Sequence, residues 1–223
     1  MHESNERLLK LFRKASKTEL YPIFERHGVD PEEGVESLVN EISLDGANTI
    51  ASIFRGWKGV PYREIVIDVA NKMKVDIDEE SKLEDIEVKI ISNVLKQSLD
   101  ELPKREREEV EKLLQEIANK SNIKSAVAIS SLSAAGLAAL FQSIEGETVI
   151  LILRKIIAII ARRSAVGFAG ASGVASIAGM VMPLISIGII GGALVGLAGP
   201  ANRKIIPTVL EVALLRMKYG KEQ

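Results

Sequence analysis

Cysteine is absent from the 223 residues, and histidine occurs only at positions 2 and 27. The first absence excludes disulfides, thiol catalysis and cysteine-based zinc sites. The second leaves little for a metal centre or a hydrolase: His2 and His27 are far apart, neither has a partner histidine one helical turn away, and no nucleophile–base pair is apparent. Both read as surface histidines, and neither a metal nor a cofactor is expected. Strand patterning is missing as well, since alternation of apolar and polar residues never runs beyond a few positions. No repeat of solenoid period occurs. The start, MHESNERLLKLFRKASKTEL, lacks a long apolar core, so no signal peptide is expected. A net charge of −1 argues against bulk attraction to nucleic acid, and none is expected as a partner.

What charge there is lies unevenly. Up to residue 124 there are 20 Lys+Arg against 26 Asp+Glu, and beyond it 9 against 4. An acidic part is followed by an apolar, mildly basic one. The extreme is Ser164 to Asn202, which holds no charged residue and is fenced by Arg162-Arg163 and Arg203-Lys204. Pro183 divides it into halves of about 19 residues, each spanning ~28 Å as helix, close to a ~30 Å bilayer core. Gly188, Gly192 and Gly196 stand four apart, which leaves a groove for close helix–helix approach. We read 164–202 as a glycine-zipper hairpin that enters a membrane or is buried in a bundle. Gly167, Gly170 and Gly173 do not follow a strand and no Lys-Ser/Thr closes them, so nucleotide binding is not expected.

The remaining chain reads as amphipathic helices. The spacing predicts helices over 4–17, from a Thr18 cap to Gly28, from an Asp30-Pro31 start to about Leu44, and over 46–56. Further helices are expected from Pro61, from Lys82 to Leu102 after a charged linker at 76–81, and from Pro103 to 120 with a narrow apolar seam. Pro22 and Pro207 are each expected in a first helical turn. The uncharged run 125–144 is rich in Ser and Ala; whether it spans a membrane stays open. Segment 148–161 is apolar but carries Arg154 and Lys155 at its middle, so it reads as a core or interfacial helix rather than a span. Ile205 to Tyr219 reads as a final amphipathic helix. The expected class is all-α: an acidic helical domain over 1–120, then an apolar helical domain over 121–223.

Between two of these helices, Arg55, Trp57, Lys58, Tyr62 and Arg63 gather the only tryptophan, a tyrosine and three cations. That mixture suits lipid headgroups or a protein partner. It also suits a plain corner, with Gly56 closing one helix, Pro61 opening the next and Trp57 packed inward. Glu64 and Asp68 lie one turn apart, with Arg63 and Lys72 near enough for ordinary surface pairs.

The run Asn48, Ile50, Arg55, Gly56, Gly59, Val60, Tyr62, Arg63, Ile65 and Asp68 resembles the YaaW-like family of uncharacterised bacterial proteins. The tail RKIIPTVLEVALLR is similar to that family's C-terminus, and the Gly-rich stretch sits in the corresponding place. In helical pattern the first half also resembles ubiquinol–cytochrome c chaperones. The resemblance implies no catalytic residue.

Two functions are therefore expected. In the first, a non-enzymatic protein on the cytoplasmic side of the inner membrane inserts its hairpin into lipid and self-associates through Gly188, Gly192 and Gly196, to permeabilise or to anchor. In the second, a soluble helical chaperone or scaffold uses the apolar half as core or as a groove for a protein client. In the first, the acidic domain over 1–120 would regulate or recruit; a protein client or regulator is the further partner expected.

Overall fold

In the computed structural model, the described residues are 2–47, 59–120, 133–144, 146, 148–156 and 200–220. The expected hairpin at 164–202, with Pro183, Gly188, Gly192 and Gly196, lies outside them except for the backbone of 200–202. Arg55, Trp57 and Lys58, and the expected helix over 48–56, also lie outside them. Among the described residues every regular element is helical and no strand occurs, so the fold class is all-α. No described helix is long and apolar enough to cross a membrane.

The chain divides into two compact units. The first joins Met1–Glu87 to Gly196–Gln223 and the second is Val88–Val195. The change of composition near residue 120 and this division by packing follow different boundaries, because the last helix belongs with the first ones.

In the first unit, α1 spans Glu3–Lys14 and buries Leu8, Leu9, Leu11 and Phe12, the stripe that its periodicity predicts. Helix α2 spans Lys17–His27. Its cap is Ser16 rather than Thr18: the Ser16 hydroxyl accepts from the Glu19 N–H, and the Glu19 carboxylate accepts from the Ser16 N–H at 2.9 Å. This is a reciprocal box that satisfies two free donors. Because α2 starts earlier than expected, Pro22 falls in its interior rather than its first turn. Gly28 ends α2 at φ +69, a left-handed conformation that favours glycine. Asp30 does cap the next turn, but that turn is a 3₁₀ helix, Pro31–Glu33. Gly34 breaks it at φ +86 before α3, Gly34–Ala47. Helix α4 is Tyr62–Lys72, with Ile65, Val66 and Val69 buried as the spacing predicts.

Helix α5, Leu83–Asp100, begins in the first unit and ends in the second. The second unit continues with α6, Lys104–Lys120, whose seam buries Val110 and Leu114. Helix α7, Ala134–Ser143, is capped by the Ser133 hydroxyl at 3.1 Å from the Gly136 nitrogen. A helical run over 148–156 buries Val149, Ile152, Leu153 and Ile156 and leaves Arg154 and Lys155 outside.

Helix α8, Pro200–Tyr219, returns to the first unit and packs against α1, α2, α3 and α4. The expectation of an amphipathic helix is corrected here. From Ile205 to Met217 every residue is buried, so α8 is a central element rather than a surface one. It starts at Pro200, which places Pro207 in its interior. The interior of the first unit is thus assembled from both ends of the chain.

Candidate functional site

A helix buried on every side needs an account of its polar residues, because a buried charge without a partner costs several kcal/mol. Thr208, Glu211 and Arg216 interrupt the apolar run of α8, and none is more than 8% exposed. Each meets a partner from the N-terminal helices. The Arg26 guanidinium of α2 donates to both oxygens of Glu211, at 2.5 and 2.8 Å. This two-point fork holds a carboxylate in a fixed plane. Arg26 Nη1 also reaches the Thr208 hydroxyl at 3.2 Å.

The same hydroxyl lies 2.8 Å from His27 Nε2, and the other ring nitrogen, Nδ1, lies 2.7 Å from Asp45 Oδ2 of α3. Lys204 completes the cluster by donating to Asp45 Oδ2 at 3.0 Å. His27 is therefore not a surface histidine. Its ring has no exposed surface, because α2 turns that face toward α3 and α8. Burial holds its pKa below the ordinary 6.5; Asp45 opposes this, and Arg26 and Lys204 reinforce it.

Asp45, His27 and Thr208 thus form an acid–imidazole–hydroxyl chain, the nucleophile–base arrangement not apparent in the sequence. Its imidazole and hydroxyl are, however, closed off from solvent in this structure. Thr208 has no exposed surface, and its oxygen also faces Arg26 and the Lys204 carbonyl, at 2.9 Å. No substrate reaches that hydroxyl in this conformation.

A second buried cluster ties the last turn of α8 to α5. Arg216 donates to Glu87 through Nε at 2.6 Å and Nη2 at 3.3 Å. Burial pushes the Glu87 carboxyl above its ordinary range, with Arg216 opposing. The Tyr62 hydroxyl is buried beside them without a hydrogen bond of normal geometry, and burial with the nearby Glu87 charge raises its pKa well above 10. At the end of α8, Lys218 and the Tyr219 hydroxyl donate to Glu19 at 2.7 and 2.8 Å. Burial works against the Glu19 carboxylate, but bonds from Lys218, Ser16 and Tyr219 outweigh it and hold its pKa at about 2.

The described members of the expected partner loop have other engagements. Tyr62 is 1% exposed, and its N–H donates to the Asn5 side chain at 2.8 Å. Arg63 donates to the Glu79 and Ser81 carbonyls, at 2.5 and 2.6 Å, and pins the charged linker onto α4. Neither is presented as a free partner-binding group. Of the paired carboxylates, Asp68 binds Lys72 at 2.5 Å, the surface pair expected. A groove of about 280 Å³ opens beside His2, Ser4, Arg7, Arg63 and Leu83, but Arg7 is already paired with Glu84 and Arg63 with the linker. No group of three or more metal-ligating side chains occurs among the described residues.

The sequence reading missed Arg26, Asp45, Glu87 and Glu211 altogether. The available signal was the pair of charges inside the apolar run IIPTVLEVALLRM, which a helix facing water on one side would not need to balance.

No family model matches the sequence, and no solved structure does. Among curated proteins, a UPF0174 protein of Helicobacter pylori strain J99 is 34% identical over 98 residues, 44% of this chain and 37% of its own length. A UPF0174 protein of strain 26695 is 34% identical over 87 residues, 39% of this chain and 41% of its own length. The chain thus spans well under half of these two relatives. A further UPF0174 protein of strain J99 is 30% identical over 210 residues, which cover 89% of this chain and 95% of the relative.

Proposed function

This chain belongs to the UPF0174 family of bacterial proteins, and on that premise we propose that it is a non-enzymatic, membrane-associated helical protein. The family name carries no activity, so the reading rests on the chain's own residues. In this reading the uncharged stretch 164–202 contacts lipid, Gly188, Gly192 and Gly196 bring copies together, and the first unit is the rigid base. The site of action is the cytoplasmic face of the inner membrane. The YaaW-like resemblance and the likeness to ubiquinol–cytochrome c chaperones belong to the same proposal.

One observation carries it. The uncharged stretch runs directly into α8, whose helix already includes Asn202, and α8 is clamped by buried ionic ties from α2 and α5. The bonds that Glu211 and Arg216 make offset the cost of burying them and hold α8 in one register, which gives a segment that enters lipid a fixed end. A second reading, a soluble scaffold, is favoured by α8 itself, whose apolar residues serve as core within one chain.

Fractionation of expressing cells with a carbonate wash decides between them. Retention in the washed pellet is expected. A monodisperse protein found wholly in the soluble fraction would overturn the membrane reading and leave the scaffold.

A further inference from the structure

The His27 cluster contains more than a static tie. Around the ring stand Arg26 on its own helix, Asp45 on α3, and Lys204 and Glu211 on α8. With a neutral imidazole, two cations face two carboxylates. A proton on His27 adds a third cation where the ring has no exposed surface.

The hydrogen bonds register the same change. Nδ1 faces a carboxylate and so carries a hydrogen. Thr208 has one hydroxyl hydrogen, with His27 Nε2 at 2.8 Å and the Lys204 carbonyl at 2.9 Å as acceptors. When the ring is neutral the hydroxyl hydrogen has both acceptors, Nε2 and the carbonyl, open to it. When the ring is protonated Nε2 becomes a donor, and the hydroxyl must turn to the carbonyl. Its oxygen then faces two cationic donors, His27 and Arg26.

We infer that this cluster is an acid-sensitive latch on the first half of α8: protonation of His27 loosens residues 200–211 from α2 and α3 while the far end of the helix stays tied. The position of each tie supports this. His27, Asp45 and Arg26 hold α8 at residues 204, 208 and 211, next to the uncharged stretch, whereas Glu19 holds 218 and 219. The sign agrees. A histidine held below 6.5 in the fold contributes stability that is complete above 6.5 and is lost as pH falls toward its folded value. The Glu19 tie persists far lower, toward about 2. As a control on membrane contact the latch rests on the proposed function; as a response of α8 to acid it stands alone.

The test uses the full chain. Backbone hydrogen exchange, corrected for intrinsic rates, is compared about one pH unit either side of 6.5, where one uncompensated proton shifts an opening equilibrium by up to about tenfold. Exchange over 200–211 should rise severalfold in acid while 216–219 changes little, and His27→Gln should abolish that rise. Equal exchange at both pH values, or an equal rise in His27→Gln, would overturn the latch. Should the variant not fold, the His27 ring resonances of the unaltered protein decide: a titration midpoint above 6.5 refutes the latch and one below supports it. Vesicles of three parts phosphatidylcholine to one part phosphatidylglycerol separate the two ideas. Acid-dependent exchange with vesicle association at neither pH keeps the latch and removes the membrane reading.

Discussion

Replacing Arg216 by leucine should be among the most damaging single changes in the first unit. The Glu87 side chain is 2% exposed and that of Arg216 9%, so solvent does not screen the pair. In Arg216→Leu the Glu87 carboxylate loses both donors, and the Tyr62 hydroxyl is the polar group left beside it. Removing one partner of a buried pair costs about 3–5 kcal/mol, whereas replacing both by apolar residues is often neutral or stabilising. Urea denaturation followed by circular dichroism should therefore show a loss of about 3–5 kcal/mol for Arg216→Leu and recovery of most of it in Arg216→Leu/Glu87→Met, a coupling that a double-mutant cycle isolates. A pH signature accompanies it. Burial already raises the Glu87 carboxyl above 4.5, and loss of Arg216 raises it further. The penalty of the bare charge is complete above that raised value and absent below 4.5, so the deficit against the unaltered protein should shrink in acid. A single variant within about 1 kcal/mol of the parent, or a double variant no better than the single, would refute the placement of this pair inside the fold.

The legibility of this chain divides by the range of the interaction. Helices α1, α4, α5 and α6 could be read because their apolar residues recur at helical spacing, and their buried sides match that stripe. The Ser16 cap was readable too, since Glu19 follows at the capping-box interval; Thr18 merely lay nearer the apolar residues. Helix α8 was not. Periodicity assigns Glu211 and Arg216 to a wet face, and only partners 185 and 129 residues away show that they lie inside. His27 failed for the same reason, with Thr208 181 residues distant. A local pattern reports how a helix would sort itself against water. It does not report that another helix has brought a counter-charge. The candidate site is built almost entirely from such distant pairs.

Three further outcomes follow from particular contacts. Glu19→Gln should cost about 1 kcal/mol at neutral pH: the full shift from 4.5 to about 2 corresponds to ~3 kcal/mol, and solvent around Lys218 screens much of it. The cost should be present above pH 4.5 and gone by about 2, read as the difference in urea midpoint between variant and parent. Gly46→Ala sets propensity against packing: alanine gains up to ~1 kcal/mol in a helix, but here its methyl would overlap Ile65 and crowd Val60 at 3.2 Å. We expect a net loss of about 1–3 kcal/mol, and a raised melting temperature would show that α4 yields. Gly192→Leu tests the proposed self-association, because a leucine fills the groove that glycines four apart leave open. Crosslinked oligomers in membrane fractions should disappear while circular dichroism of the helices is retained; oligomers of unchanged size would mean that the 188–196 face does not join the copies, and the uncharged stretch would then have to act as a single-chain anchor.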